Sequence, residues 1–143
     1  MSRFVYHRRV EFADTDMVGI MHFTAFFRFM ESAEHAFFRS LGYSVTLDGL
    51  DPALGLPRVR AEAEYKRPLR FEDEVAIELT VREKRSKSLT YGFVLKKLND
   101  PEQPVVATGS MTVVCVRRGE DGQMSAHDLP AALVDKIDVE AED

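Results

Sequence analysis

Cysteine is nearly absent. Cys115 stands alone in 143 residues, which excludes an intramolecular disulfide and any metal site built on several cysteines. Long apolar runs are missing as well. The opening MSRFVYHRRV has no hydrophobic segment of signal-peptide length, and no stretch approaches the ~20 apolar residues of a membrane span. The expectation is a cytoplasmic chain that does not enter a membrane. A basic excess is lacking too: 19 Lys and Arg stand against 24 Asp and Glu, a net charge of −5, whereas a nucleic-acid partner usually wants a basic surface. Internal repeats, low-complexity tracts and linker-like stretches are also missing, so residues 1–143 read as one domain.

What is present fits a soluble globular protein. Hydrophobic residues make up 45% and charged residues 30%, an ordinary balance. A chain of this length can remove roughly 68% of its unfolded surface from water without cross-links. The charge is uneven, with Arg82, Lys84, Arg85 and Lys87 close together and a mostly acidic tail from Asp135 to Asp143. A local basic cluster in an acidic chain suits a small anionic ligand better than a polyanion.

Periodicity divides the chain. Phe4, Tyr6, Val10 and Phe12 share one parity while His7, Arg9 and Glu11 share the other, the alternation of a half-buried strand. It ends at the turn-rich Ala13-Asp14-Thr15-Asp16 and Gly19. From Thr24 the spacing turns helical. Phe23, Phe26, Phe27, Met30, Ala33, Phe37, Phe38 and Leu41 recur at intervals of three and four, and Gly42 sits where a helix C-terminal glycine belongs. So wide an apolar face predicts a buried central helix. Gly42 to Pro57 reads as a loop. Four strands follow, near Val59–Tyr65, Val75–Val81, Leu89–Leu95 and Val105–Val116, with a short final helix near Leu129–Ile137. The short connections between them favour antiparallel neighbours. One sheet must cover one very apolar helix, so an α+β fold with a curled sheet is expected.

The segment from Val10 to Phe23 joins the first strand to that helix and carries the chemistry. It brings a carboxylate, a glycine and a helix N-terminus together. Free N–H groups at a helix start can stabilise a developing oxyanion, and a carboxylate nearby can attack a carbonyl or activate water. The two suffice for acyl transfer.

The run Asp14-Thr15-Asp16-Met17-Val18-Gly19-Ile20-Met21, followed by Phe26 and Glu31, resembles the signature of hot-dog-fold acyl-CoA thioesterases of the 4-hydroxybenzoyl-CoA thioesterase branch. The resemblance continues through Tyr65-Lys66-Arg67-Pro68-Leu69-Arg70-Phe71-Glu72-Asp73-Glu74 and the Lys84–Ser88 segment. It implies a curved, antiparallel, five-stranded sheet wrapped around one long helix, and hydrolysis of an acyl-CoA thioester to a free acid and CoA. By the same resemblance, Asp16 is the catalytic aspartate, acting as nucleophile or as general base. The Phe23 backbone N–H polarises the thioester carbonyl, and Gly19, Ile20, Met21 and Phe26 meet the substrate. Arg85 and Lys87 meet the nucleotide phosphates. A homodimer or homotetramer is implied, with no cofactor and no metal, CoA being part of the substrate. Two departures stand out. Phe26 replaces a common tyrosine, making the acyl pocket more apolar, and Glu72 stands where a glycine is usual, a difference of turn geometry.

Other readings apply to the same residues. Asp14 is expected to be a turn residue bonding nearby backbone N–H groups, and Asp16 admits that reading as well as the catalytic one. His22 is a second-tier catalytic candidate, since an imidazole titrates near neutrality; a packing or substrate-contact role competes with it. His7, His35 and His127 are too scattered to form a metal site with His22. Glu31 is expected to be a hydrogen-bonding residue at the helix rim and Glu34 to be solvated. Ser86 and Ser88 lack a G-x-S-x-G elbow and are not nucleophiles. Two rivals to the thioesterase remain: a hydratase or dehydratase on the same fold, which would need an Asp–His pair, and a non-catalytic acyl-CoA or acyl-carrier-protein binding domain.

Overall fold

The computed structural model describes residues 3–140; the end of the acidic tail, 141–143, lies outside the described residues. Alternation builds the first strand, β1 (Arg3–Arg9), in which Phe4, Tyr6 and Arg8 turn inward. A single 3-10 turn (Phe12–Asp14) precedes the helix α1 (Ala25–Ser40). The strands β2 (Leu54–Gly55), β3 (Arg58–Tyr65), β4 (Glu74–Lys84), β5 (Ser88–Lys97), β6 (Val105–Val114), β7 (Val116–Arg118) and β8 (Met124–Ala126) follow, then the short α2 (Ala131–Val134).

Five strands form one sheet in the order β1-β4-β5-β6-β3, and every neighbouring pair is antiparallel. Register slips at Arg82 in β4, Val106 in β6 and Val59 in β3 bend the strands, because a bulge inserts a residue on one side of a ladder. The sheet curves around α1, whose Ala25, Phe26, Phe29, Met30, Ala33 and Phe38 are buried against Ile77, Leu79, Phe93 and Met111. The α+β architecture expected from the sequence is borne out. Gly109 of β6 permits the closest approach, since a Cβ there would lie 2.5 Å from Met30 Cε.

The helix ends as its sequence predicts. The Tyr43 N–H reaches back to the Phe38 carbonyl (3.0 Å) and the Gly42 N–H to that of Arg39 (3.0 Å), with Gly42 at φ 90°. This pair of bonds is a Schellman termination.

Four expectations need correction. β3 and β4 follow each other in sequence but are not neighbours: β3 pairs with β6 at the far edge, while β4 pairs with β1 and β5. Residues 66–73 therefore cross the end of the sheet, after Lys66 and Arg67 N–H groups anchor on the Val106 carbonyl. The loop before β3 and the segment after β6 contribute a second, three-stranded sheet, β2-β7-β8, too short to register as periodicity. Phe23 precedes α1 and is 60% exposed, whereas Phe29, outside the predicted stripe, is fully buried. Finally, Glu34 is buried where a solvated residue was expected, whereas Glu31 lies half-exposed at the helix rim as expected. Arg58 reaches in from β3 to pair with both, 2.5 Å from Glu34 Oε1 and 3.2 Å from Glu31 Oε2, which is what lets a carboxylate sit inside. Among the described residues, no helix is long and apolar enough to cross a membrane.

Candidate active site

The turn between β1 and α1 is built from backbone bonds. The Asp14 carboxylate is buried; its Oδ2 accepts the Glu11 N–H at 2.9 Å, and Arg28 and Arg8 stand 3.8 and 4.0 Å from its Oδ1. Asp14 thus has the structural turn role. The next turn closes on Asp16. Its carbonyl accepts the Gly19 N–H (3.0 Å) and its own N–H donates to the Ile20 carbonyl (3.0 Å). Gly19 sits at φ 90°, a left-handed conformation that side-chain-bearing residues avoid. Asp16 Oδ1 accepts the Val18 N–H at 2.9 Å, an Asx turn that fixes the side-chain direction. The other carboxylate oxygen has no hydrogen-bond partner among the described residues.

The crossover from β3 packs against this turn. The Met21 N–H donates to the Leu69 carbonyl (2.6 Å), and Val10 exchanges backbone bonds with Glu72 and Asp73 (2.8 Å each). Between the two segments opens a cleft of about 560 Å³. From the β1–α1 turn it takes Asp16, Ile20, Met21 and Phe23, and from the first turn of α1 Phe26; Tyr65 comes from the end of β3, and Lys66, Arg67 and Pro68 from the crossover. Phe26 and Tyr65 meet edge to face, centroids 5.0 Å apart at 78°, a favourable aromatic geometry. The Tyr65 hydroxyl donates to the Phe23 carbonyl at 3.0 Å and so orients the peptide entering the helix. The Phe23 N–H makes no hydrogen bond among the described residues; it lies at the positive end of α1. A carboxylate oxygen, an unbonded N–H and an apolar lining are what acyl transfer needs in one place.

The structure therefore brings together Asp16, Ile20, Met21, Phe23 and Phe26. Gly19 shapes the turn behind them without lining the cleft. His22 is turned to other work: its Nδ1 lies 2.7 Å from Thr24 Oγ1, the Thr24 N–H approaches the same nitrogen at 3.3 Å, and its ring leans on Phe23. Arg85 and Lys87 lie on the β4–β5 hairpin, at the opposite end of β4 from the crossover. There Arg85 pairs with Glu83 (3.5 Å) and Lys87 with Asp128 (3.0 Å). The hydrogen bond and charge of Lys87 hold the Asp128 carboxyl below its ordinary value. One chain alone does not bring this hairpin to the cleft. Tyr65, Lys66, Arg67 and Pro68 are cleft residues that sequence reasoning placed only in a supporting motif; no local signal says that the chain crosses the sheet there.

Comparison with known proteins gives the family. The family model described as the thioesterase-like superfamily matches residues 10–137. A protein of Aquifex aeolicus named as an esterase is 32% identical over 117 residues, covering 82% of this chain and 88% of the relative. A protein of Synechococcus elongatus named 1,4-dihydroxy-2-naphthoyl-CoA hydrolase is 27% identical over 143 residues, 99% of this chain and 100% of its own. Among solved structures, a gentisyl-coenzyme A thioesterase superposes with a TM-score of 0.80 at 30% identity, over 94% of this chain and 100% of that one.

Proposed function

The chain belongs to the thioesterase-like superfamily, and on that footing we propose that it hydrolyses the thioester of an acyl-CoA, releasing a carboxylic acid and CoA with Asp16 as the reactive group. The observation that carries this reading is the meeting of Asp16, with one carboxylate oxygen uncommitted, and the unbonded Phe23 N–H on a single apolar cleft. The thioester carbonyl oxygen accepts the Phe23 N–H, where the helix dipole and the hydrogen bond favour negative charge. Asp16 then attacks the carbonyl carbon to give a mixed anhydride that water opens, or takes a proton from water as water attacks. In either route the C–S bond breaks, the thiolate leaves as CoA after gaining a proton, and the acyl carbon gains a water oxygen.

The acyl group lies against Ile20, Met21, Phe26 and Tyr65. An aromatic acyl group is the favoured substrate class, supported by the edge-to-face Phe26–Tyr65 pair and by relatives named for naphthoyl and gentisyl thioesters. The working form is a homo-oligomer. β3 forms an open sheet edge, with Val59 63% and Tyr65 47% exposed, a surface that a second copy would cover, and its end carries cleft residues. A hydratase reading needs a carboxylate–histidine pair, and the His22 ring bonds go to Thr24 instead. Thiol release from a panel of aromatic and aliphatic acyl-CoAs tests the proposal; binding of every one without release of thiol would leave a binding domain in its place.

A further inference from the structure

An arginine breaks the pattern of the first strand. The inward parity of β1 carries Phe4, Tyr6 and then Arg8, whose side chain is 28% exposed. Residues that break a local rule in this way concentrate where a chain needs them for more than packing. The Arg8 guanidinium joins β1 to α1 and to the turn between them. Its carbon lies 4.3 Å from the centroid of the Phe29 ring. One terminal nitrogen donates to the Ser32 hydroxyl and to the Arg28 carbonyl (3.4 Å); the other stands 4.0 Å from Asp14 Oδ1. A planar fork stacked on a ring can face two partners at once, which a lysine cannot reproduce.

Asp14 is where this clamp meets the candidate site. Its backbone carbonyl accepts the His22 N–H at 2.8 Å, and Thr15 bridges Met21 in antiparallel fashion. Residues 14–16 and 20–22 are thus the two legs of a short hairpin with Asp14 and His22 at its base. Asp16 stands on one leg, and Phe23 follows directly on the other. The distance between the carboxylate and the N–H is therefore set at that base. A buried carboxylate is costly unless it is paired. Among the described residues, only Arg8 and Arg28 lie within salt-bridge distance of Asp14. Arg28 is 52% exposed, and water screens its hold. Arg8 is the better-fixed partner, anchored by the ring and hydroxyl of the helix that begins just after Phe23.

We propose that Arg8 is a positioning residue for the reaction: through the Asp14 carboxylate it fixes the base of the 14–22 hairpin and so holds Asp16 in register with the Phe23 N–H. This role rests on the proposed acyl-CoA hydrolysis at Asp16. Arg8 does not line the cleft, so its loss spares the binding of substrate and lowers kcat, because small displacements of reacting groups are costly to the chemical step.

The experiment compares wild type with Arg8→Met, which keeps the apolar stem over Phe29, with Arg8→Lys, with Asp14→Asn and with the double variant Arg8→Met/Asp14→Asn. Each is assayed on the acyl-CoA that wild type hydrolyses fastest, at a temperature where its unfolding curve shows it fully folded. Arg8→Met should lower kcat roughly tenfold to a hundredfold and leave KM within about twofold of wild type. Arg8→Lys should recover part of the loss. The double variant should fall no further than the worse single one, since Arg8 acts through Asp14; an Arg8 that merely packs would give losses that multiply. Amide hydrogen exchange, followed by NMR, supplies a readout independent of turnover. The His22 N–H should exchange at least about tenfold faster in Arg8→Met while the Tyr43 N–H at the far end of α1 keeps its wild-type rate. A kcat unchanged in Arg8→Met, a raised KM with kcat intact, or multiplying losses would overturn the assignment. Should Arg8→Met not fold, Arg8→Lys is judged by the same kcat and KM criteria. Should wild type hydrolyse no acyl-CoA, the proposed activity fails, and faster His22 exchange in Arg8→Met still upholds the clamp; exchange indifferent to Arg8 refutes it.

Discussion

Replacing Gly109 by alanine probes the contact on which the curvature of the sheet around α1 depends. The added methyl would lie 2.5 Å from Met30 Cε, 2.9 Å from Met30 Sδ and 2.8 Å from the Glu62 carbonyl oxygen, where unstrained contacts lie at about 3.5–4.0 Å. Met30 is fully buried, and the Glu62 oxygen belongs to the backbone of the paired strand β3. The Met30 thioether can shift only within a packed core, and the Glu62 oxygen cannot move without displacing β3 from β6. Overpacking of this kind costs about 2–3 kcal/mol, a fall in Tm of roughly 6–9 °C for a chain of this size. Urea and thermal unfolding would measure it. A double-mutant cycle with Met30→Ala sharpens the test. That substitution alone opens a cavity costing about 2–5 kcal/mol, and the alanine at 109 fills part of the space. The two losses should fall short of additivity by at least about 1 kcal/mol. Wild-type stability in Gly109→Ala, or strict additivity with Met30→Ala, would refute the helix–sheet packing described here.

Other perturbations follow from the same structure. Tyr65→Phe removes the hydroxyl that holds the Phe23 carbonyl; kcat should fall roughly tenfold with KM little changed, since the oxyanion donor loses its orientation and the ring contact with Phe26 stays. Glu72 sits at φ 69°, where a side chain costs about 1–2 kcal/mol and glycine adds about 0.5–1 kcal/mol of unfolded-state entropy. Glu72→Gly should therefore match or exceed wild type in chemical denaturation, and a loss of stability would contradict the strain. Burial first, and then the Glu34 charge, hold the Tyr91 hydroxyl well above its ordinary value of 10. Among the described residues neither that hydroxyl nor Glu34 Oε2 makes a well-formed hydrogen bond. Because the folded state keeps a proton that the unfolded state releases, stability is full below pH 10 and declines as pH rises toward the folded value. Tyr91→Phe should flatten that alkaline limb of the unfolding curve, and an unchanged limb would place the titration elsewhere.

Local pattern revealed the elements and hid their arrangement. Alternation in β1 and in β3 to β6, the helical spacing from Thr24 and the terminating Gly42 could all be read from near neighbours, because side-chain direction has a period of two or 3.6. Nothing local records that Lys66–Asp73 passes two strands, β6 and β5, to reach β4, so neither the separation of β3 from β4 nor the cleft positions of Tyr65, Lys66, Arg67 and Pro68 can be read from near neighbours. Glu34 looked solvated for a similar reason: its partner Arg58 is distant in sequence, and only the tertiary pairing with β6 brings it over the helix. β2, β7 and β8 are two or three residues long, below the length at which alternation can be recognised. Asp16, Ile20, Met21, Phe23 and Phe26 were legible as a group because one continuous segment delivers them. His22 and the Arg85–Lys87 hairpin belong to the same motifs, but the first bonds Thr24 just before the helix and the second lies at the sheet's other end.

The most direct test of the central claim is thiol release from a panel of acyl-CoAs by wild type beside Asp16→Asn. The amide keeps the shape and the Val18 contact but can neither attack nor accept a proton, so kcat should fall by roughly 10²–10⁴ while substrate binding and unfolding midpoint stay near wild type. Turnover in Asp16→Asn equal to that of wild type would take the chemistry away from Asp16.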